Sequence, residues 1–205
     1  MNNKPIVSNG NFKLPNTPNF SQTPVLSCGR TSRECKSHCY ALKSYRQYLN
    51  VKNVWDSNFH YVRYYPDMVF DVVCSYITRK RKTPKYFRVH VGGDFYNQKN
   101  IALWSKIARE NTTTKFLAYT KRTDLNFAYV PKNLIIRQSY WGVPYEKNGL
   151  IRESTSNAKI AIANLPWEDT ERFLIQSGIK KCTGKCGLSC RFCWNSDKPV
   201  YFNLH

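Results

Sequence analysis

Residues 86–94 read Tyr86-Phe87-Arg88-Val89-His90-Val91-Gly92-Gly93-Asp94, and the next regular stretches are Asn97 to Arg109 and Lys115-Phe116-Leu117-Ala118-Tyr119-Thr120. The first run is β-branched and aromatic and stops at two glycines, which predicts a strand ending in a turn. From Asn97 the spacing changes, and Ile101, Trp104, Ile107 and Ala108 fall three or four apart, so a helix gains one apolar face. Strand, turn, helix, strand is a βαβ unit, whose crossover makes its two strands parallel. Leu134 to Ser139 and Lys159 to Ala163 are apolar enough to continue the sheet. The expected class is therefore α/β: a parallel or mixed sheet with outer helices, of which a reduced or partial (β/α) barrel is one form.

Upstream, Asn53 to Tyr65 and Pro66 to Arg79 predict two helices; in the second, Met68, Val69, Val72, Val73 and Tyr76 share a face. Ser32 to about Tyr48 is basic and helix-compatible. Residues 1–27 hold Asn, Pro, Ser and Gly without periodicity and predict an extended arm that adds little core. The chain has 205 residues, 41% of them apolar and 15% aromatic, which suits one α/β domain over 1–205 and excludes a disordered polyelectrolyte. No run approaches the ~18 apolar residues that span a bilayer, and Met1-Asn2-Asn3-Lys4-Pro5 has no secretory core, so a cytoplasmic protein without membrane contact is expected.

In a reducing compartment eight cysteines point to metal ligation or redox chemistry before disulfides. Cys182, Cys186, Cys190 and Cys193 form C-x3-C-x3-C-x2-C, and thiolates so spaced suit zinc or an iron–sulfur cluster. Cys28, Cys35 and Cys39 form a second set, C-x6-C-x3-C, with His38 beside the last thiol. Three thiols are one short of a closed tetrahedral site. Either His38 or a C-terminal cysteine completes it, or a position stays open for an exogenous ligand. On a continuous helix Cys35 and Cys39 share a face, whereas His38 points elsewhere and reads better as structural or solvent-facing. Cys74, inside Val72-Val73-Cys74, reads as a small core residue.

Gly92, Gly93 and Asp94 stand at the carboxyl end of a predicted strand, where α/β folds collect ligands and glycine lets the backbone approach a small molecule. The plainer reading of Asp94 is a helix cap. Arg88 and His90 alternate with Val89 and Val91, so they are expected on one polar or ligand-lined face. Lys and Arg number 32 against 13 Asp and Glu, a net charge of +19, and basic residues cluster at Arg30 to Arg46, at Arg79-Lys80-Arg81-Lys82 and at Lys121-Arg122. With many tyrosines and phenylalanines, this pattern points to a nucleic-acid partner, the alternative being a solvated basic surface. No helix-turn-helix or zinc-finger spacing is present for base reading.

Ser27-Cys28, Cys35-x3-Cys39-Tyr40-Ala41, Arg88-Val89-His90-Val91-Gly92-Gly93-Asp94-Phe95, Phe116 to Lys121 and the cysteines ending in Cys193-Trp194 together resemble the bacteriophage "gene product 88" family, from about Ser27 to Trp194. The resemblance implies a phage or mobile-element protein in a host cytoplasm, with a host or phage protein as a further kind of partner. A more distant similarity is to radical S-adenosylmethionine enzymes, which hold a [4Fe-4S] cluster on three cysteines, usually C-x3-C-x2-C, and often carry Gly-Gly-Glu after the next strand. It implies that Cys28, Cys35 and Cys39 hold the cluster and that Gly92, Gly93 and Asp94 line a pocket for S-adenosylmethionine. The leading expectation is an iron–sulfur protein with at least one [4Fe-4S] cluster that binds nucleic acid or acts in a nucleic-acid transaction. The alternatives are a radical S-adenosylmethionine-like enzyme and a structural zinc-binding interaction module.

Overall fold

The computed structural model describes residues 4–31, 33–79, 83–141, 159–163, 176, 178–184, 186 and 189–202. The N-terminal half runs β1 (Asn19–Phe20), α1 (Arg33–Ser37), α2 (Tyr40–Gln47), α3 (Leu49–Tyr64), α4 (Pro66–Thr78) and β2 (Tyr86–Val89). It continues with α5 (Gln98–Glu110), β3 (Lys115–Thr120), β4 (Leu134–Trp141), β5 (Lys159–Ala163), β6 (Lys180–Lys181), α6 (Phe192–Asn195) and β7 (Val200–Tyr201). Every pairing is parallel, in the order β1-β2-β3-β4-β5-β7-β6. Up to β5 each strand adds beside its predecessor, so crossovers of one hand put the intervening helices on one face of the sheet. The expected α/β class and parallel sheet are present. The order is linear with β1 and β6 at its ends, and among the described residues no pairing closes it into a barrel.

Local chemistry accounts for the helices. Pro66 opens α4 with its ring-fixed φ, Asp67 stands in the first turn against the helix dipole, and Val69, Val73 and Ile77 are buried on one face. The Asn97 side chain accepts a bond from the Asn100 N–H at 3.0 Å and caps α5, whose Ile101, Trp104, Ile107 and Ala108 are buried. The alternation of the strands separates two cores. Phe87, Val89, Phe116, Ala118, Leu134 and Ile136 pack beneath α3, α4 and α5 with Phe20. On the other face Leu117 and Ile135 pack against Leu14, Cys193, Trp194 and Val200, so the cysteine-rich tail covers this face.

Arg137, on that second face, is fully buried. Its Nη1 donates to the Lys198 carbonyl at 2.9 Å, Nη2 to the Ser196 carbonyl at 2.6 Å, and Nε and Nη2 to the Cys193 carbonyl at 3.3 and 3.2 Å. Three carbonyls at the end of α6 thus converge on one guanidinium of β4, whose planar fork of donors is shaped for this.

Three expectations are corrected. The arm is core: Thr17, Phe20 and Gln22 are fully buried, and the Asn58 amide of α3 exchanges bonds with the Ile6 backbone at 2.8 and 2.9 Å. A strand needs its neighbour's backbone, and β1 finds one in β2, with Asn19 opposite Arg88 and Phe20 opposite Val89. The basic stretch is two helices, with Cys35 in α1 and Cys39 extended (φ −76°, ψ 101°) at the start of α2, so the two thiols do not share a helix face. Arg88 and His90 do not share a sheet face either. The strand ends at Val89, and His90, at φ 57°, turns its ring toward the helix side, 4.9 Å from Phe95 and 5.9 Å from Trp104 between centroids.

Replacing Arg137 by Met strands three buried carbonyls, and the cost is expected to be about 2–5 kcal/mol in denaturant unfolding. The tail beyond Ile179 should also become the first target of limited proteolysis. A variant with parental stability and a protected tail would show that apolar packing alone holds this face.

Candidate metal centres

The first three-cysteine set is built at the carboxyl rim of the sheet. Cys28 follows β1, Cys35 lies on α1 and Cys39 begins α2. The three thiols and Asp94 act on one another's charge: burial pushes Cys28 up to about 12, with Asp94, Cys35 and Cys39 adding to the effect. Burial likewise raises Asp94 to about 6, although its Oδ2 accepts the Lys121 N–H at 2.9 Å and its Oδ1 the Phe95 N–H at 2.7 Å. Lys121 supplies the cation. Its Nζ donates to Ser139 Oγ at 2.7 Å; burial lowers its pKa, while the charges of Cys35, Asp94, Cys39 and Cys28 oppose that drop.

The loop that carries Cys28 is anchored on both sides. Ser27 Oγ donates to the Thr23 carbonyl at 2.7 Å and accepts from the Asp94 N–H at 3.4 Å. Arg122 pairs bidentately with Asp124 at 2.7 and 2.8 Å and donates through Nη1 to the Phe95, Tyr96 and Cys28 carbonyls. Gly92 and Gly93 are explained by this packing. A Cβ on Gly92 would strike the Trp55 ring, and one on Gly93, at φ +84°, would strike Ser27 Oγ and the Gln22 carbonyl. The close approach that glycine permits here is thus to the protein itself, at the foot of the cysteine loop.

The second set sits under the tail. Cys182, Cys186, Cys190 and Cys193 line one pocket with Lys180, Phe192 and Trp194, about 10 Å³ in volume, room for about one water-sized group. The Cys186 thiol donates to Cys182, which holds Cys182 down near 6 and drives Cys186 up. Burial raises Cys193 against the hydrogen bond from the Tyr119 hydroxyl and the charge of Arg137. Arg88 lies between the sets. Its guanidinium covers the Tyr119 ring at 4.3 Å, and its charge lowers the pKa of Cys182, Cys186 and Cys193 on one side and of Tyr40, neighbour of Cys39, on the other. Its buried Nε has no partner among the described residues. Among the described residues no three His, Cys, Asp or Glu side chains are drawn together closely enough to hold a metal as they stand.

The model of the family described as Gene product 88 matches residues 1–196. The chain belongs to the gene product 88 family. It is 27% identical over 120 residues to the Gene 88 protein of Mycobacterium phage L5 and 27% identical over 124 residues to that of Mycobacterium phage D29, each match covering 55% of this chain and 50% of the relative. It thus spans about half the length of these curated gene product 88 relatives. No solved structure matches the chain. No helix among the described residues is long and apolar enough to cross a membrane.

Of the residues singled out in this family member's sequence, Cys182, Cys186, Cys190 and Cys193 line one pocket, and Cys28, Cys35 and Cys39 influence one another through their charges. Asp94 lies beside the first group and binds backbone N–H groups there, while the cap of α5 is Asn97. Arg122 is buried and spent on Asp124 and three carbonyls, so it leaves the expected phosphate-binding set, and Lys121 faces the thiols. Arg79 is exposed, and Lys80, Arg81 and Lys82 lie outside the described residues. His38 is exposed beside Ser37 Oγ, at 2.9 Å from its Nδ1. Cys74 is half-buried against the helix-side core and accepts from Asn111 Nδ2 at 3.3 Å. The sequence reading missed Ser27 and Trp55, the groups against which the two glycines pack. Asn97 was legible as a cap, an Asn just before an amphipathic run.

Two stability predictions follow from these contacts. Gly93→Ala meets both a left-handed backbone and a filled space, so it should cost on the order of 2–3 kcal/mol. Gly178→Ala, at φ +70° with nothing within 4 Å, should cost only about 1 kcal/mol; equal losses in denaturant melts would remove the packing argument. Burial, aided by Arg88, depresses His90 to about 3 from the ordinary 6.5, so below pH 6.5 the unfolded chain binds a proton that the folded protein refuses. This contribution is lost as pH falls. Asp94, raised to about 6, works the opposite way between its ordinary 3.8 and 6. His90→Asn should be the less stable protein at pH 7, with the gap to the parent narrowing by up to about 2 kcal/mol at pH 5; a constant gap would mean that His90 titrates normally.

Proposed function

We propose that this member of a phage gene family is an iron–sulfur protein with two cysteine centres of different kind. In this reading Cys28, Cys35 and Cys39 hold a [4Fe-4S] cluster with one open position, and Cys182, Cys186, Cys190 and Cys193 form a closed centre that staples the tail. The supporting observation is that Cys28, Cys35 and Cys39 lie within electrostatic reach of one another, of Asp94 and of Lys121, beside a wide cleft that reaches Cys39. Ligands of α/β proteins collect at that end of the strands. An all-sulfur donor set suits iron–sulfur clusters and zinc and excludes hard cations such as magnesium. Half-buried Arg88, whose Nε has no partner among the described residues, and buried Arg137, met by carbonyls, would be compensated by thiolate charge from the tail cysteines.

The similarity to radical S-adenosylmethionine enzymes gives the reaction class proposed for the open centre. Such a cluster, when reduced, supplies one electron to the sulfonium of S-adenosylmethionine. The chain's own part is to hold the site: Ser27 and Arg122 fix the Cys28 loop, Gly92 and Gly93 let it seat against the strand end, and Asp94 and Lys121 place a carboxyl and an ammonium beside the thiols. A zinc-stapled interaction module is the second reading, favoured by the tightness of the C-terminal pocket, which matches one ion better than a cubane.

Anaerobically purified protein is expected to contain about four iron and four acid-labile sulfide per chain at the first centre, lost in Cys39→Ser. Reduction with dithionite should cleave added S-adenosylmethionine to 5′-deoxyadenosine and methionine, read by chromatography. Zinc without sulfide would overturn the iron–sulfur reading, and a cluster that leaves S-adenosylmethionine intact would overturn the enzyme class alone.

A further inference from the structure

α1 and α2 flank an open cleft of about 1020 Å³ whose wall includes Arg33 and Lys36 from α1, Cys39 at the helix junction, and Lys43 and Arg46 from α2. The pairs are three residues apart on their helices, so each helix turns two cations to one side. All four side chains are exposed, and no carboxylate lines the cleft among the described residues. The ion pairs among the described residues are Lys52–Asp56 and Arg122–Asp124, and neither takes one of these four cations. Directly after Gln47 of the cleft wall, Tyr48 is 50% and Leu49 72% exposed, an aromatic and an aliphatic side chain next in sequence to it.

From these features we infer that the cleft binds the sugar-phosphate backbone of a single-stranded nucleic acid and leads it to the Cys39 edge of the first cysteine centre. The inference deepens the proposed function by naming a substrate class for that centre, and rests on it only in that respect. Four exposed cations around one trough match a run of backbone phosphates, each contact releasing counterions. The volume stands at the top of the range for small-molecule sites, about 300–1000 Å³, and the trough is open, as a groove for a strand must be. Tyr48 supplies the stacking platform that single-strand grooves combine with charge, and such a platform tolerates any base. This fits a chain without a base-reading motif.

The test is fluorescence anisotropy of labelled single-stranded DNA and RNA oligonucleotides with the anaerobically purified protein, over a series of salt concentrations. The double variant Lys43→Glu with Arg46→Glu is compared with Lys99→Glu with Lys132→Glu, the same charge change at exposed sites elsewhere. The cleft variant should lose on the order of tenfold to a hundredfold in affinity, and its slope of log K against log salt should shrink by about 1.4, two contacts at about 0.7 each on a single strand. The control should move less than about twofold and keep its slope. Equal losses in both would overturn the inference in favour of diffuse attraction. So would a nucleoside triphosphate that binds as tightly as the longer strands, which would make the ligand a nucleotide. Iron and sulfide are measured on the same samples: a clusterless protein that still binds through the cleft sinks the iron–sulfur reading and leaves this one, and a loaded protein indifferent to oligonucleotides does the reverse.

Discussion

A guanidinium with no water around it must find acceptors or give up the fold, and Arg137 finds three carbonyls, those of the last cysteine, Cys193, and of Ser196 and Lys198 after it. This exchange lets an all-parallel sheet exist in a chain of this size. Parallel strands need cover on both faces, and the described crossover helices α3, α4 and α5 lie on one. The other face is covered by the tail, whose short α6 ends on Arg137. Leu117, Ile135 and the tail's Trp194 then bury each other around that anchor.

The same arrangement sets the character of the two cysteine groups. Of the four tail thiols Cys193 is buried against Tyr119, while Cys182, Cys186 and Cys190 are half-buried around it. The three rim thiols lie where the strands end and the chain turns outward, with Asp94, Lys121 and a basic trough at hand. Arg88 stands between, one side chain in the electrostatic reach of both. Two cysteine groups, one at the strand ends and one under the tail, follow from where the chain crosses the sheet.

Much of this was legible in the sequence. The βαβ unit from Tyr86 to Thr120 declares a parallel sheet because its period changes from two to 3.6 and back. The cysteine groups declare themselves by spacing, and α5 by its apolar stripe. The arm from Lys4 to Ser27 was misread because a two-residue strand has no period, and its burial depends on β2 and Asn58, remote in sequence. His90 was placed on the wrong face because alternation holds only while the backbone stays extended, and the chain leaves that conformation one residue earlier. The tail strands Lys180–Lys181 and Val200–Tyr201 were invisible for a similar reason: they are strands only because they lie beside one another.

The position of β7 carries a consequence for the order of assembly. It follows β6 in the chain yet lies between β5 and β6, and among the described residues β6 has no other backbone partner. During synthesis the sheet can therefore grow outward from β1 to β5 as the chain emerges, but Lys180–Lys181 must wait for a strand made twenty residues later to slide in beside them. Cys182 is tied to Tyr201 by its own N–H, so the tail pocket takes shape only after residue 201 has left the ribosome, whereas the rim cysteines are already in place. The two cysteine groups thus take shape at different moments in the life of the nascent chain.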